Sequence, residues 1–293
     1  MNVIPTLFSV QPASTRALLG LHRAGADFGS LFNAAMTSTS SFSAAEVNPL
    51  FAVPVTGKLP GLSATGRNTE LFDPESAYRM MTAINQKEVI YKAQYASLQG
   101  MRESMADMSA LGHTLADLPV ASGATAVRAA LQDFADAYNR WSQKFGDQAA
   151  EGGLLADTSA AKISRRALEQ SIGNVFLGAQ DGLHGLKDLG ITLSNVTHRV
   201  SFDSNRFDAT FNTAPVGAMA TVREFGANFS QAASLLVSAD NFIPRQIDNL
   251  NRVIGYIADH HTALQTEFGT GDPPKVTGVL AQALAAYTAS YGA

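Results

Sequence analysis

Leu186-Lys-Asp-Leu-Gly190-Ile-Thr-Leu193-Ser-Asn-Val-Thr-His198-Arg-Val-Ser-Phe202-Asp-Ser-Asn-Arg-Phe207-Asp-Ala-Thr-Phe211-Asn-Thr-Ala-Pro215 is the stretch on which the fold turns. Two short strand-like pieces, 190–193 and 199–202, flank the polar run Ser194-Asn195-Val196-Thr197, which predicts a small antiparallel hairpin. Asp203 follows as an N-cap and starts a helix. Asp203 and Asp208 sit around that helix start, where capping explains them better than acid-base catalysis. The stretch holds no recognisable catalytic residues, and it lies between long helical runs.

Outward from the hairpin the pattern is helical. On the N-terminal side, Asp73-Pro74-Glu75 opens a helix that runs to Leu118 and is closed by Pro119. Ile84, Tyr91, Leu98 and Met105 recur every seventh residue, and Met101, Met108 and Leu115 fill the companion positions, which Lys87 and Gln94 interrupt early. The Met stripe reads as adaptable core. A second helix, 125–145, carries Val127, Leu131, Phe134, Tyr138, Trp141 and Phe145 on one face and is expected to stop at Gly146. Trp141 reads as a core anchor. A third, capped by Asp157-Thr158, is expected to reach Leu177.

On the C-terminal side, Pro215 and Gly217 precede a helix over 218–237 with Val222, Phe225, Phe229 and Leu236 inward. The helix over 244–268 has the cleanest heptads: Ile247, Leu250, Ile254, Ile257, His261, Leu264 and Phe268. His261 falls on that seam as a register-setting polar residue. After a break at 269–274, a short amphipathic helix over 276–291 completes the pattern. The fold class is mainly α: a long antiparallel coiled coil or helical bundle, interrupted by one small β-hairpin.

Residues 1–72 differ from this body. They are rich in Ala, Ser, Thr, Gly and Pro, and Ser14-Thr15 could cap a short helix whose ragged apolar face holds Leu18, Phe28 and Leu31. The segment reads either as a flexible arm or as one that orders against neighbouring subunits. Three segments result: an N-terminal arm over 1–72, a helical core over 73–268 and a C-terminal amphipathic helix over 269–293.

The totals narrow the function classes. With 293 residues, 46% apolar and 16% charged, the chain can bury a sizeable core. A net charge of −4 with scattered Lys and Arg offers no basic patch for nucleic acid. Cysteine is absent, which excludes disulfides, thiol catalysis and Cys-based zinc sites. No apolar run nears the roughly 20 residues of a membrane span. The first residues lack the pattern of a secretory signal, so export is expected to use another route. Neither a P-loop nor a Gly-x-Ser-x-Gly elbow occurs, and the six histidines form no His-Glu-x-x-His pair. The expectation is a chain with no cofactor, no metal and no catalytic residues, and not an enzyme.

Several landmarks, in order, carry a family resemblance. Phe134-Ala-Asp-Ala-Tyr138-Asn139, Gly153-Leu-Leu-Ala-Asp157-Thr158, Leu186-x-x-Leu189-Gly190-Ile191-Thr192, and Val200-Ser-Phe-Asp203 with Phe207-Asp-Ala209 resemble motifs of the bacterial flagellar filament capping (hook-associated protein 2) family. The likeness is firmest over 131–215. Two departures stand out: Ser194-Asn195-Val196-Thr197 replaces the usual glycine turn, and position 156 is Ala where Gly is typical. Because Leu118 passes almost directly to Leu131, the chain resembles a short form without the family's outer β-rich domains.

The resemblance implies a flagellin-like axial core and a self-assembling structural protein of the bacterial surface, exported by a flagellar-type apparatus. Its implied partners are copies of itself, with flagellin, hook-associated proteins and an export chaperone. The alternatives are a filament-forming surface fibre or adhesin subunit that reuses the same core and, ranked last, a soluble enzyme or binding module. Candidate interface residues are Leu18, Phe28, Leu31, Tyr95, Tyr287 and Tyr291. Ile84, Leu98, Met105, Ile247, Leu250, Ile254, Ile257, Leu264 and Phe268 are the expected helix-pair core.

Overall fold

Asp73 caps the first described helix, as its position before a proline predicts. In the computed structural model, which describes residues 61–176 and 180–291, its carboxylate accepts the Ser76 amide at 3.0 Å and caps helix α1, Pro74–Ala116. Pro74 takes the first helical position, where a missing amide costs nothing. All the described residues lie within one unit, Ala45–Ala293. Leu18, Phe28, Leu31 and the expected helix from Ser14 fall outside them.

Helix α2, Ala124–Ala149, buries Val127, Leu131, Phe134, Tyr138, Trp141 and Phe145. Gly146 does not stop it. A helical glycine costs about 1 kcal/mol relative to alanine, too little to break a helix anchored by these aromatics. The chain turns instead at 150–153, where Gly152 has φ +77°. Helix α3, Ser159–Ile172, is shorter than expected, because Gly173 and Asn174 leave the helix before Leu177. Nor does Thr158 cap it with its side chain: the hydroxyl donates back to the Leu155 carbonyl at 2.8 Å.

A 3₁₀ turn, Gln180–Gly182, leads to strands β1, Ile191–Leu193, and β2, Val200–Phe202, paired antiparallel with Ile191 opposite Phe202. Asp203 then accepts the Asn205 and Arg206 amides, both at 3.1 Å, and caps α4, Ser204–Thr213. Pro215 is the first residue of the next helix rather than a residue before it, so α4 and α5, Pro215–Val237, abut at Ala214. Helix α6, Phe242–Phe268, and helix α7, Gly278–Tyr291, complete the described chain. Among the described residues the architecture is mainly helical with one small two-stranded sheet.

Helix α1 is the strut. Its 43 residues span about 65 Å at the α-helical rise. Helix α5 runs antiparallel along its C-terminal half: Ser109 bonds Ser230 and Ser234, and Arg223 reaches the Ala116 carbonyl. Helix α6 takes over along the N-terminal half, its C-terminal end meeting the first turns of α1. There Asn85 donates to the carbonyls of Thr270 and Asp272. Helix α7 packs on the same half. From residue 80 to 101 no side chain of α1 is exposed, because neighbours surround it.

The α1–α5 crossing is made backbone to backbone. A Cβ at Gly112 would meet the Ser230 amide at 2.7 Å, and one at Gly226 would meet the Ala116 amide at 2.5 Å. Two glycines and the small Ser109 and Ala233 therefore let the helices close. Beside them Phe134 of α2 stacks edge-on to Phe225 and Phe229 of α5, each at 5.0 Å, joining α2 to the strut through the core.

Candidate assembly surface

The hairpin is held from outside by one amide. Asn139 on α2 donates to the Val200 carbonyl and accepts the Val200 amide, each at 2.8 Å. The flanking bonds Ser194 to Arg199 and Asp203 to Gly190 put the backbone groups of Val200 on the outer edge of β2. Asn139 thus pairs with β2 as a neighbouring strand would. Ser142, one turn on, donates to the His198 carbonyl at 2.8 Å, and the His198 ring meets Glu169 of α3 at 2.8 Å.

The turn itself explains the departure at 194–197. The Ser194 hydroxyl accepts the amides of Val196 and Thr197, at 3.3 and 3.1 Å, and its carbonyl accepts the His198 amide at 2.9 Å. His198 takes the left-handed conformation, φ +54°, that a glycine would otherwise supply. Gly190 does need to be glycine: at φ +83° a Cβ would lie 2.4 Å from the Asp203 carbonyl. This brace fastens the hairpin to α2 and α3.

The three described candidates for subunit contact come together within the chain. Tyr95 of α1 stacks edge-on to Tyr287 at 5.8 Å and to Tyr291 at 5.2 Å, both on α7. Tyr95 is buried there and so faces α7 rather than solvent. Tyr287 is half-buried under Lys92, whose ammonium lies 5.9 Å from the ring. Tyr291 stays 49% exposed, and Val279 at the other end of α7 is 53% exposed. Partial burial, with the Tyr95 phenol beside it, raises the Tyr291 pKa above its ordinary value.

Beneath α7 lies a satellite cluster of Val89, Val276 and Leu284 that the heptad reading missed, since Val89 falls between the seam positions. Of the expected core, Ile84, Leu98, Met105, Ile247, Leu250, Ile254, Ile257 and Leu264 are buried, while His261 and Phe268 are half-buried. No residue after Lys275 is charged, so α7 presents an uncharged outer face.

A groove of about 660 Å³ runs between the end of α3 and β1, lined by Ile172, Val175, Ile191 and Leu193 and by the ionisable Arg166, Glu169, His184, Lys187 and Asp188. Among the described residues no group of three or more His, Asp or Glu is placed to hold a metal ion. No described helix is long and apolar enough to cross a membrane. Of the residues sequence reading left without a role, Asn139 was signalled by its place in a motif. Glu169 and Leu284 carried no such mark.

No family model matches this chain, and no curated protein does. Among solved structures, it is similar to the D1-D2-D3 domains of the flagellar cap protein FliD from Escherichia coli, at 18% identity and a TM-score of 0.36. The match covers 42% of this chain and 36% of that one, so the chain spans little more than a third of that structure. A likeness of this size assigns neither family nor activity.

Proposed function

We propose that the chain is a self-assembling structural subunit of a bacterial surface appendage, of the flagellar axial or capping type, and that it is not an enzyme. The observation that carries this reading is the rod. A long helix from the N-terminal half is covered along its length by helices from the C-terminal end, and the outermost of these, α7, turns an uncharged face to solvent. Surfaces of this kind suit burial against further copies, in a ring where the rotation closes and a helical filament where it does not. The ordered landmarks from Phe134 to Ala209 support the flagellar assignment, with flagellin and hook-associated proteins as proposed partners and the cell exterior as the proposed location.

The N-terminal arm is assigned the role of joining subunits. A chain lacking residues 1–48 is expected to remain a soluble helical monomer by circular dichroism and light scattering, and to form no assemblies in negative stain. Truncated protein that still gave the full chain's polymers would overturn the assignment. Long fibres from the full chain, in place of short rings or plates, would favour the adhesin-like alternative.

A further inference from the structure

We infer that α7 exchanges between copies: the strip of α1 that it covers receives the α7 of a second chain. This deepens the assembly reading and rests on it for the biological role of the contact. The argument begins with how α7 is tethered. The strap before it is fastened to α1 by side-chain bonds. The Thr82 hydroxyl accepts the Asp272 amide at 2.8 Å, and Gln86 both accepts the Lys275 amide at 2.8 Å and donates to the Lys275 carbonyl at 3.1 Å. Val276 is buried at the end of this fastening.

Gly278 then takes φ +55°, with nothing within 4 Å of the Cβ position, so an unpacked residue with wide backbone freedom stands at the start of α7. Beyond it Leu284 is the one fully buried side chain of α7 among the described residues, joined by the rings of Tyr287 and Tyr291 on Tyr95. A helix of 14 residues is marginal when detached, so α7 opens and re-docks as a unit while α1, α5 and α6 hold.

What α7 uncovers names its occupant. Val89 and Tyr95 lose their cover when it swings out, and the surface that fits them is α7 itself. A second copy supplies that surface with no new interface, which is the condition under which helices are traded between protomers at low cost. The trade is open-ended: each chain offers one helix and one strip, so copies can close as a pair or continue as a series.

Because the chain has no cysteine, one thiol can be placed on each side of the contact. Ala96 of α1 and Ala286 of α7 line the same cleft. Full-length A96C and A286C, mixed and treated with a short bismaleimide, are expected to give the 96–286 link between chains at several times the yield of 96–96 or 286–286 links. The double variant is expected to link both within one chain and between chains. Amides of α7 are expected to exchange with deuterium at least tenfold faster than those of α6. Mixed-position links no commoner than same-position links, a double variant that does not link, or α7 amides as protected as those of α6 would each overturn the exchange. Polymers without the 96–286 link sink the exchange and spare the appendage reading. Links in a chain that never polymerises do the reverse.

Discussion

Asn139→Leu removes a near-isosteric amide from α2 and leaves the Val200 amide and carbonyl without the two bonds they make. Each unsatisfied buried backbone group costs about 1–3 kcal/mol, so a loss of about 2–6 kcal/mol is expected in urea unfolding. Tyr138→Phe is the opposite case. The Tyr138 ring is fully buried and its hydroxyl has no protein partner, so its loss is expected to leave the melting temperature equal or higher. Burial, with Glu169 nearby, raises the Tyr138 pKa well above the ordinary value of 10.0. The folded state then keeps its proton while the unfolded state releases it. Stability is therefore intact below pH 10 and falls as pH rises beyond, and denaturation followed against pH should show a shallower alkaline fall for Tyr138→Phe. At this scale the sequence was legible where a side chain caps a helix, as at Asp73 and Asp203. It marked Asn139 only as part of a motif and gave no sign that the side chain reaches a strand 61 residues away.

Helices were legible from their apolar spacing, and their ends less so, because an end depends on what the helix packs against. Gly146 looked like a stop and is tolerated because Trp141 and Phe145 already fasten α2 into the core. Gly112 and Gly226 drew no notice as sequence, yet they set the closest approach between helices, which involves two segments far apart in the chain. These glycines should respond differently to substitution. Gly226→Ala forces a methyl onto the α1 backbone and is expected to cost about 1–3 kcal/mol by chemical unfolding, as overpacked cores do. Gly146→Ala, with nothing within 4 Å of its Cβ position, is expected to gain about 0.5–1 kcal/mol from helix propensity in the same assay.

Across the whole molecule, the heptads picked out many of the buried side chains, missed Val89, and did not show how helices share them. Residues 80–101 of α1 read as an imperfect seam because Lys87 and Gln94 interrupt it. In the fold α6, α7, the strap and the turn between α2 and α3 surround this stretch, so polar side chains find protein partners, as Gln94 does at the Leu154 carbonyl and Gln86 at Lys275. A two-helix pattern could not register an arrangement with several partners. The tyrosines were likewise picked for subunit contact because of their chemistry, while their pairing inside the chain depends on the strap returning α7 to α1.

Opposite α1, the antiparallel rail is laid in two lengths, and the exposed residues Ser238, Ala239 and Asp240 lie at the splice between α5 and α6. A beam with one unbroken member and one jointed member flexes at the joint and keeps its length. A single nick there by a protease should leave the two pieces travelling together through a sizing column under native conditions, parting in denaturant. Pieces that separate without denaturant would mean that the unbroken member does not bear the load.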